Sequence, residues 1–130
     1  MNTKFIDFVI RIKNASLARR REIVLPYSKL NHEIGKTLVK LGFLEDIKEK
    51  EENKKKILLA LLKFEKRTPI LAGVQIFSKP SLRIYESSKK LRDLEIKGNK
   101  TVVVSTNQGV MTGKEARKKG LGGEVLFAIW

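Results

Sequence analysis

The apolar residues of this 130-residue chain change period partway along it, and nothing else in the sequence constrains the fold as tightly. Phe5, Phe8, Val9 and Ile12 fall at i, i+3, i+4 and i+7, which places them on one face of a helix. Residues 3–14 are therefore expected to be helical, with Asn2 or Thr3 as the cap and Lys4, Arg11 and Lys13 turned away from the core. Leu30, Ile34, Leu38 and Leu41 repeat the pattern behind Ser28, a favourable N-cap, and Gly42 is placed to stop that second helix. Between the helices, Glu22 to Leu25 reads as a strand ended by Pro26. Beyond Gly42, strands are expected at Phe43 to Lys48 and Ile57 to Phe64, with the charged stretch Glu49 to Lys55 as an exposed connection. Leu58, Leu59, Leu61 and Leu62 favour helix intrinsically, but the run is short and is read as a strand.

The second half follows a different rhythm. Val74 to Ser78 alternates, Lys79 and Pro80 turn the chain, and Leu82 and Ile84 point one way while Arg83 and Tyr85 point the other. A short helix is expected over Ser87 to Leu94 and an apolar strand over Thr101 to Val104. That strand runs into Ser105-Thr106-Asn107-Gln108-Gly109, read as a polar loop. Thr112 followed by Glu115 is a capping box, opening a short helix that Gly120 ends, and Gly122 and Gly123 lead into a closing strand, Glu124 to Trp130. The expected fold is α+β in two small domains. Residues 1–66 form an α/β unit with two helices on a three-stranded sheet, and residues 67–130 a mostly antiparallel β unit with short helices.

Charge narrows the function. Lys and Arg number 28 against 14 Asp and Glu, a net charge of +14. A polyanion is the economical partner, because each neutralised phosphate releases condensed counterions whatever the base sequence. An anionic membrane surface would also use such charge. No apolar run approaches the roughly 20 residues of a spanning helix, and the N-terminus lacks a signal-peptide pattern, so the protein is expected to be soluble, unexported and made where it works. With no cysteine there is neither a disulfide nor a Cys-ligated zinc.

Catalytic groups are not assembled by any motif. His32, the only histidine, lies in the second expected helix beside Glu33, and adjacent helical positions do not face each other. No spacing joins it to Asp7 or Glu45 as metal ligands. Glu45 and Asp46 fall on opposite faces of a strand, and Gly120 to Gly123 precede a strand instead of a phosphate-binding helix. No catalytic residue, metal or cofactor is expected. What remains is contact chemistry. Arg19, Arg20 and Arg21 in a loop, and Lys114, Arg117, Lys118 and Lys119 on the last short helix, suit phosphates. Ser105, Thr106 and Asn107 carry donors and acceptors together and suit the edges and 2′-hydroxyls of RNA, although the same residue types build any tight turn. Tyr85 offers a ring either for stacking or for the core. Glu124 suits exocyclic amino groups, or a nearby lysine.

The run Ser105 to Thr112, then Glu115-Ala116-Arg117, Gly120 to Leu126 and Trp130, resembles the family of ribosomal protein eight of the bacterial-type small subunit. Ser78 to Tyr85, Asp7, Arg11 to Asn14, Pro26 and Ser28 to Leu30 extend the likeness over nearly the whole chain. The resemblance implies a structural, non-enzymatic protein that binds the central domain of small-subunit ribosomal RNA and helps assemble the platform. It also implies neighbours in ribosomal proteins five and twelve and, in some bacterial lineages, repression of the messenger RNA of its own operon. Position by position it implies RNA reading by Ser105, Thr106 and Asn107 with Tyr85 and Glu124 in support, and backbone contacts from Asn14 and Lys29. Arg20, Lys114 and Lys118 complete the candidate set on grounds of charge. The chain departs from the family pattern at Asn107-Gln108, where a cation is usual, at Thr3-Lys4 in place of Asp-Pro, and at Ser81 in place of glycine. The ribosome would be cytoplasmic, with an organellar one also open. Two other readings stand beside this one: an RNA-binding regulator acting off the ribosome, and a small nuclease using His32.

Overall fold

A computed structural model of the chain describes residues 4–65, 68–91 and 100–130. The chain divides into two compact units, the first ending at Ala72 and the second beginning at Gly73. The architecture is α+β, as the sequence implies.

In the first unit the order is α1 (Lys4–Leu17), β1 (Glu22–Pro26), α2 (Lys29–Leu41), β2 (Leu44–Glu52) and β3 (Lys55–Leu62), followed by the short pair β4 (Phe64–Glu65) and β5 (Thr68–Pro69). The three long strands form an antiparallel sheet ordered β1-β3-β2. Phe5, Phe8, Val9 and Ile12 are buried, as their spacing demands, and Ile34, Leu38 and Leu58 are wholly so. Each such side chain contributes about 1.5–3 kcal/mol relative to exposure.

Local chemistry sets the helix limits. The Ser28 side chain accepts the Asn31 N–H at 3.0 Å, capping α2. Tyr27 and His32 flank that cap at the positions of a hydrophobic staple, their rings edge to face at 6.0 Å. At the other end Gly42, with φ of 87°, donates to the Val39 carbonyl while Phe43 donates to that of Leu38, the paired bonds of a left-handed cap. Helix α1 runs three residues beyond the expected Asn14 and closes the same way: Arg19 donates to Ser16 and Arg20 to Ala15. Here the left-handed position is held by an arginine, with φ of 59°.

One expectation fails. Glu49 to Lys55 is not a connection: β2 and β3 continue through it and meet at a two-residue turn, Asn53-Lys54, with φ of 51° and 64°. Positive φ at both central residues matches the right-handed twist of a hairpin. Cross-strand partners are Glu51 with Lys56 and Glu52 with Lys55, so opposite charges that look like a solvated run in sequence become neighbours in register.

The second unit comprises β6 (Val74–Ile76), β7 (Tyr85–Glu86), β8 (Thr101–Thr106), β9 (Gly109–Thr112), α3 (Gly113–Lys118) and β10 (Gly123–Ile129). Residues 88–91 are also helical; the rest of the helix expected to Leu94 lies outside the described residues. Strand β10 organises the antiparallel sheet. On one side it pairs with β8, which pairs with β9; on the other it meets β6 and β7 in succession. Val102, Val104, Met111, Ala116 and Val125 pack as one cluster on one face. The Thr112 hydroxyl accepts the Glu115 N–H at 3.1 Å and lies 3.4 Å from its carboxylate, the expected capping box. Ser78, fully buried, donates to the Val125 carbonyl at 2.7 Å and accepts from the Ile84 N–H at 3.1 Å, pinning the Lys79 to Leu82 turn onto β10. Ser81 in that turn does not have a positive φ, so serine replaces glycine there without strain.

Candidate nucleic-acid interface

The strand registers bring together residues far apart in sequence. Tyr85 on β7 pairs with Glu124 on β10, and Glu124 pairs with Ser105 on β8. Directly opposed residues project to the same side of a sheet, so the three side chains form one row. The next row, Val125 with Val104 and Met111, is buried in the core cluster, so the Tyr85 row projects from the opposite face. Tyr85 is 62% exposed, which decides for a surface ring over core packing.

Two glycines let these strands meet. A Cβ on Gly123 would collide with the Ser105 carbonyl oxygen, and one on Gly122 would lie 2.7 Å from that of Glu86. Gly122 and Gly123 are thus close-approach residues.

The polar segment after Val104 is also a correction. Ser105 and Thr106 belong to β8, and only Asn107 and Gln108 form the turn, with Gly109 at φ of 112° opposite Thr106. Thr106 spends its hydroxyl locally, donating to the Gly109 carbonyl at 2.8 Å and accepting from the Gln108 N–H at 3.1 Å. It shapes the turn, whereas half-buried Ser105 and exposed Asn107 keep outward-facing polar groups. Beside this hairpin, α3 packs against β8 and β9 and carries Lys114 and Lys118, exposed at i and i+4 and so on one helix side.

Glu124 has a partner that the sequence did not point to. Its Oε2 lies 3.4 Å from Arg83 Nε, and the carboxylate side chain is only 14% exposed. The contact is an ion pair by distance, yet its angles do not make a hydrogen bond, and both atoms are buried without one. The available signal was the alternation that puts Arg83 and Tyr85 on one side of an extended segment.

In the first unit, Asn14 and Arg20 line one open groove with Arg11 and Val24. Arg11 is committed there, donating to the Val24 carbonyl at 3.1 Å and lying 3.8 Å from Asp7. Lys29, exposed at the start of α2, is not part of that groove. Arg19 contributes a different surface with Arg21, and its left-handed backbone costs roughly 1 kcal/mol that glycine would avoid. Arg19→Gly is expected to raise folding stability by about 1 kcal/mol, checked by urea unfolding. His32, read from sequence as solvated, is instead half-buried, stapled to Tyr27 and 3.7 Å from Glu49, which in turn lies 3.3 Å from Lys56. Among the described residues no three His, Cys, Asp or Glu side chains gather as metal ligands, and no helix is long and apolar enough to cross a membrane.

Comparison with known proteins identifies the family. A family described as Ribosomal protein S8 matches residues 4–130. The chain is similar to "Small ribosomal subunit protein uS8" of Thermosynechococcus vestitus, with 36% identity over 132 residues covering 100% of this chain and 98% of the relative. It is 39% identical over 133 residues to "Small ribosomal subunit protein uS8c" of Phaeodactylum tricornutum, covering 100% and 99% of the two chains. With the uS8 protein of Leuconostoc mesenteroides the identity is 37% over 131 residues, covering 100% and 98%. A family match over residues 4–130 and full-length similarity to these relatives lead to one conclusion: the chain belongs to the ribosomal protein S8 family.

Proposed function

We propose that this protein is a structural, non-catalytic constituent of the small ribosomal subunit that binds the central domain of its RNA. The observation carrying this reading is the row Tyr85, Glu124 and Ser105, drawn from three separate stretches onto one face of the sheet, with the lysines of α3 on the helix that packs against β8 and β9. Asn107 and Ser105 supply hydrogen-bond readout and Tyr85 supplies stacking. Lys114, Lys118 and, in the first unit, Arg20 and Asn14 supply sequence-independent contact with phosphate and sugar. Lys29 adds a backbone contact at the start of α2, and Thr106 supports the others by fixing their turn. On the ribosome the neighbours would be ribosomal proteins five and twelve, and the messenger RNA of its own operon is a further target where it mimics the ribosomal site. The relatives carry small-subunit names, which supports the same placement.

The test is binding to a central-domain RNA fragment in competition with unrelated duplex RNA at physiological salt. Strong preference for the fragment is expected, together with co-sedimentation with small subunits; preference without co-sedimentation would move the protein to an off-ribosome regulatory role, and no preference would overturn the reading. Lys118→Glu and Arg20→Glu are expected to weaken binding to both RNAs alike. Each should flatten the dependence of log K on log salt by roughly one unit for each phosphate that is no longer neutralised. Salt titration of each variant checks this, and an unchanged slope would remove that residue from the interface.

A further inference from the structure

We propose that Arg83 is a positioning residue for RNA recognition: it orients the Glu124 carboxylate and offsets its charge, leaving one carboxylate oxygen to accept a hydrogen bond from an exocyclic amino group. This rests on the recognition role proposed for Glu124 above. A carboxylate in an interface with a polyanion is repelled by it, so it serves there only if a cation offsets its charge. The structure supplies that cation beside it. Arg83 Nε sits 3.4 Å from Oε2, and the Arg83 side chain is 32% exposed against 14% for Glu124. Arg83 Nε and Glu124 Oε2 are buried without a hydrogen bond, and the ion pair runs through Oε2.

The pair is also held by its backbone. The Val125 N–H, one residue after Glu124, donates to the carbonyl of Ile84, one residue after Arg83, at 2.8 Å. Ser78 closes the frame by bonding both the Ile84 N–H and the Val125 carbonyl. Arg83 and Glu124 therefore face each other before RNA arrives, with little ordering left to do. The long, misaligned contact leaves Nε–H and Oε2 free to tighten when Oε1 is engaged. A charge-assisted hydrogen bond accepted by Oε1 would then be stronger than one accepted by an amide oxygen at the same place.

The test is a double-mutant cycle with Arg83→Met and Glu124→Gln in the full chain. Both the central-domain RNA fragment and unrelated duplex RNA are titrated, and near-ultraviolet circular dichroism verifies folding. Arg83→Met is expected to weaken fragment binding about tenfold and duplex binding less than about twofold. In the Glu124→Gln background the same change should cost less than about twofold, because no carboxylate is left to orient. Arg83→Lys keeps the charge and should recover part of the loss; it also keeps the proposal testable if the methionine variant does not fold. Equal losses on both RNAs with a shallower salt slope would make Arg83 a phosphate contact and overturn the proposal. So would an Arg83 effect of the same size in both backgrounds. A neutral Glu124→Gln would overturn this proposal together with the role of Glu124, whereas additivity alongside a normal Glu124 effect would overturn the positioning role alone.

Discussion

Gly123→Ala is expected to destabilise the protein by about 3 kcal/mol and to abolish selective RNA binding in whatever fraction still folds. The reason is backbone, not side chain. The added Cβ would overlap the Ser105 carbonyl oxygen, and it also approaches the Val104 side chain at 3.1 Å, so no rotamer change relieves the clash. The remaining adjustment is to part β10 from β8 at Glu124 and Ser105, within the row proposed to recognise RNA. Urea unfolding measures the first effect, and competition between the central-domain fragment and duplex RNA the second. Gly120→Ala is a useful contrast. Its φ of 68° makes the change unfavourable by about 1 kcal/mol, but nothing lies near the added carbon, so the row should survive and selectivity with it. A Gly123→Ala protein with native stability and selectivity would show that close approach is not what the glycine provides.

The second large effect concerns selectivity alone. Ser105→Ala combined with Asn107→Ala is expected to lower affinity for the central-domain fragment about a hundredfold, while binding to unrelated duplex RNA changes less than about threefold. Asn107 is exposed and Ser105 half-buried. Neither makes a side-chain hydrogen bond among the described residues, whereas Thr106 next to them makes two. Removing Ser105 and Asn107 leaves the hairpin intact, and fold stability should shift by no more than about 0.5 kcal/mol. Thr106→Ala should behave oppositely: loss of its bonds to Gly109 and Gln108 loosens the turn, lowering stability by about 1 kcal/mol. Parallel titrations of the two RNAs check the double variant. Equal loss on both would mean that Ser105 and Asn107 contribute to general attraction and not to reading.

Much of the fold was legible where a single residue type has one structural use. Ser28, Gly42, Thr112 and Gly120 marked helix ends because capping needs a side-chain acceptor or a left-handed backbone. The leucine-rich run at β3 was read correctly against its helix propensity, since its length suited a strand. The misses share a cause. Glu49 to Lys55 looked like a solvated run because charge along one segment reports exposure, whereas register reports pairing, and only the partner strand shows that Glu51 and Lys56 are opposed. Arg19 gave no sign of a left-handed backbone, since arginine carries no turn signature. At the candidate site, residue types pointed to Ser105, Tyr85 and Glu124 separately. Their shared row, the commitment of Thr106 to its own turn and the Arg83 contact depend on which strands pair, which no local window contains.

The position of β10 at the end of its unit bears on how the protein is made. β6, β7 and β8 all precede the strand that joins them, and β7 and β8 share no ladder of their own. While the chain is still being synthesised, Tyr85 and Ser105 are on strands with no common neighbour, and Glu124 has yet to be added. The lysines of α3 come earlier. On the proposed reading, an unfinished chain can cling to nucleic acid through its charge, but it can choose among RNAs only once β10 has joined its neighbours.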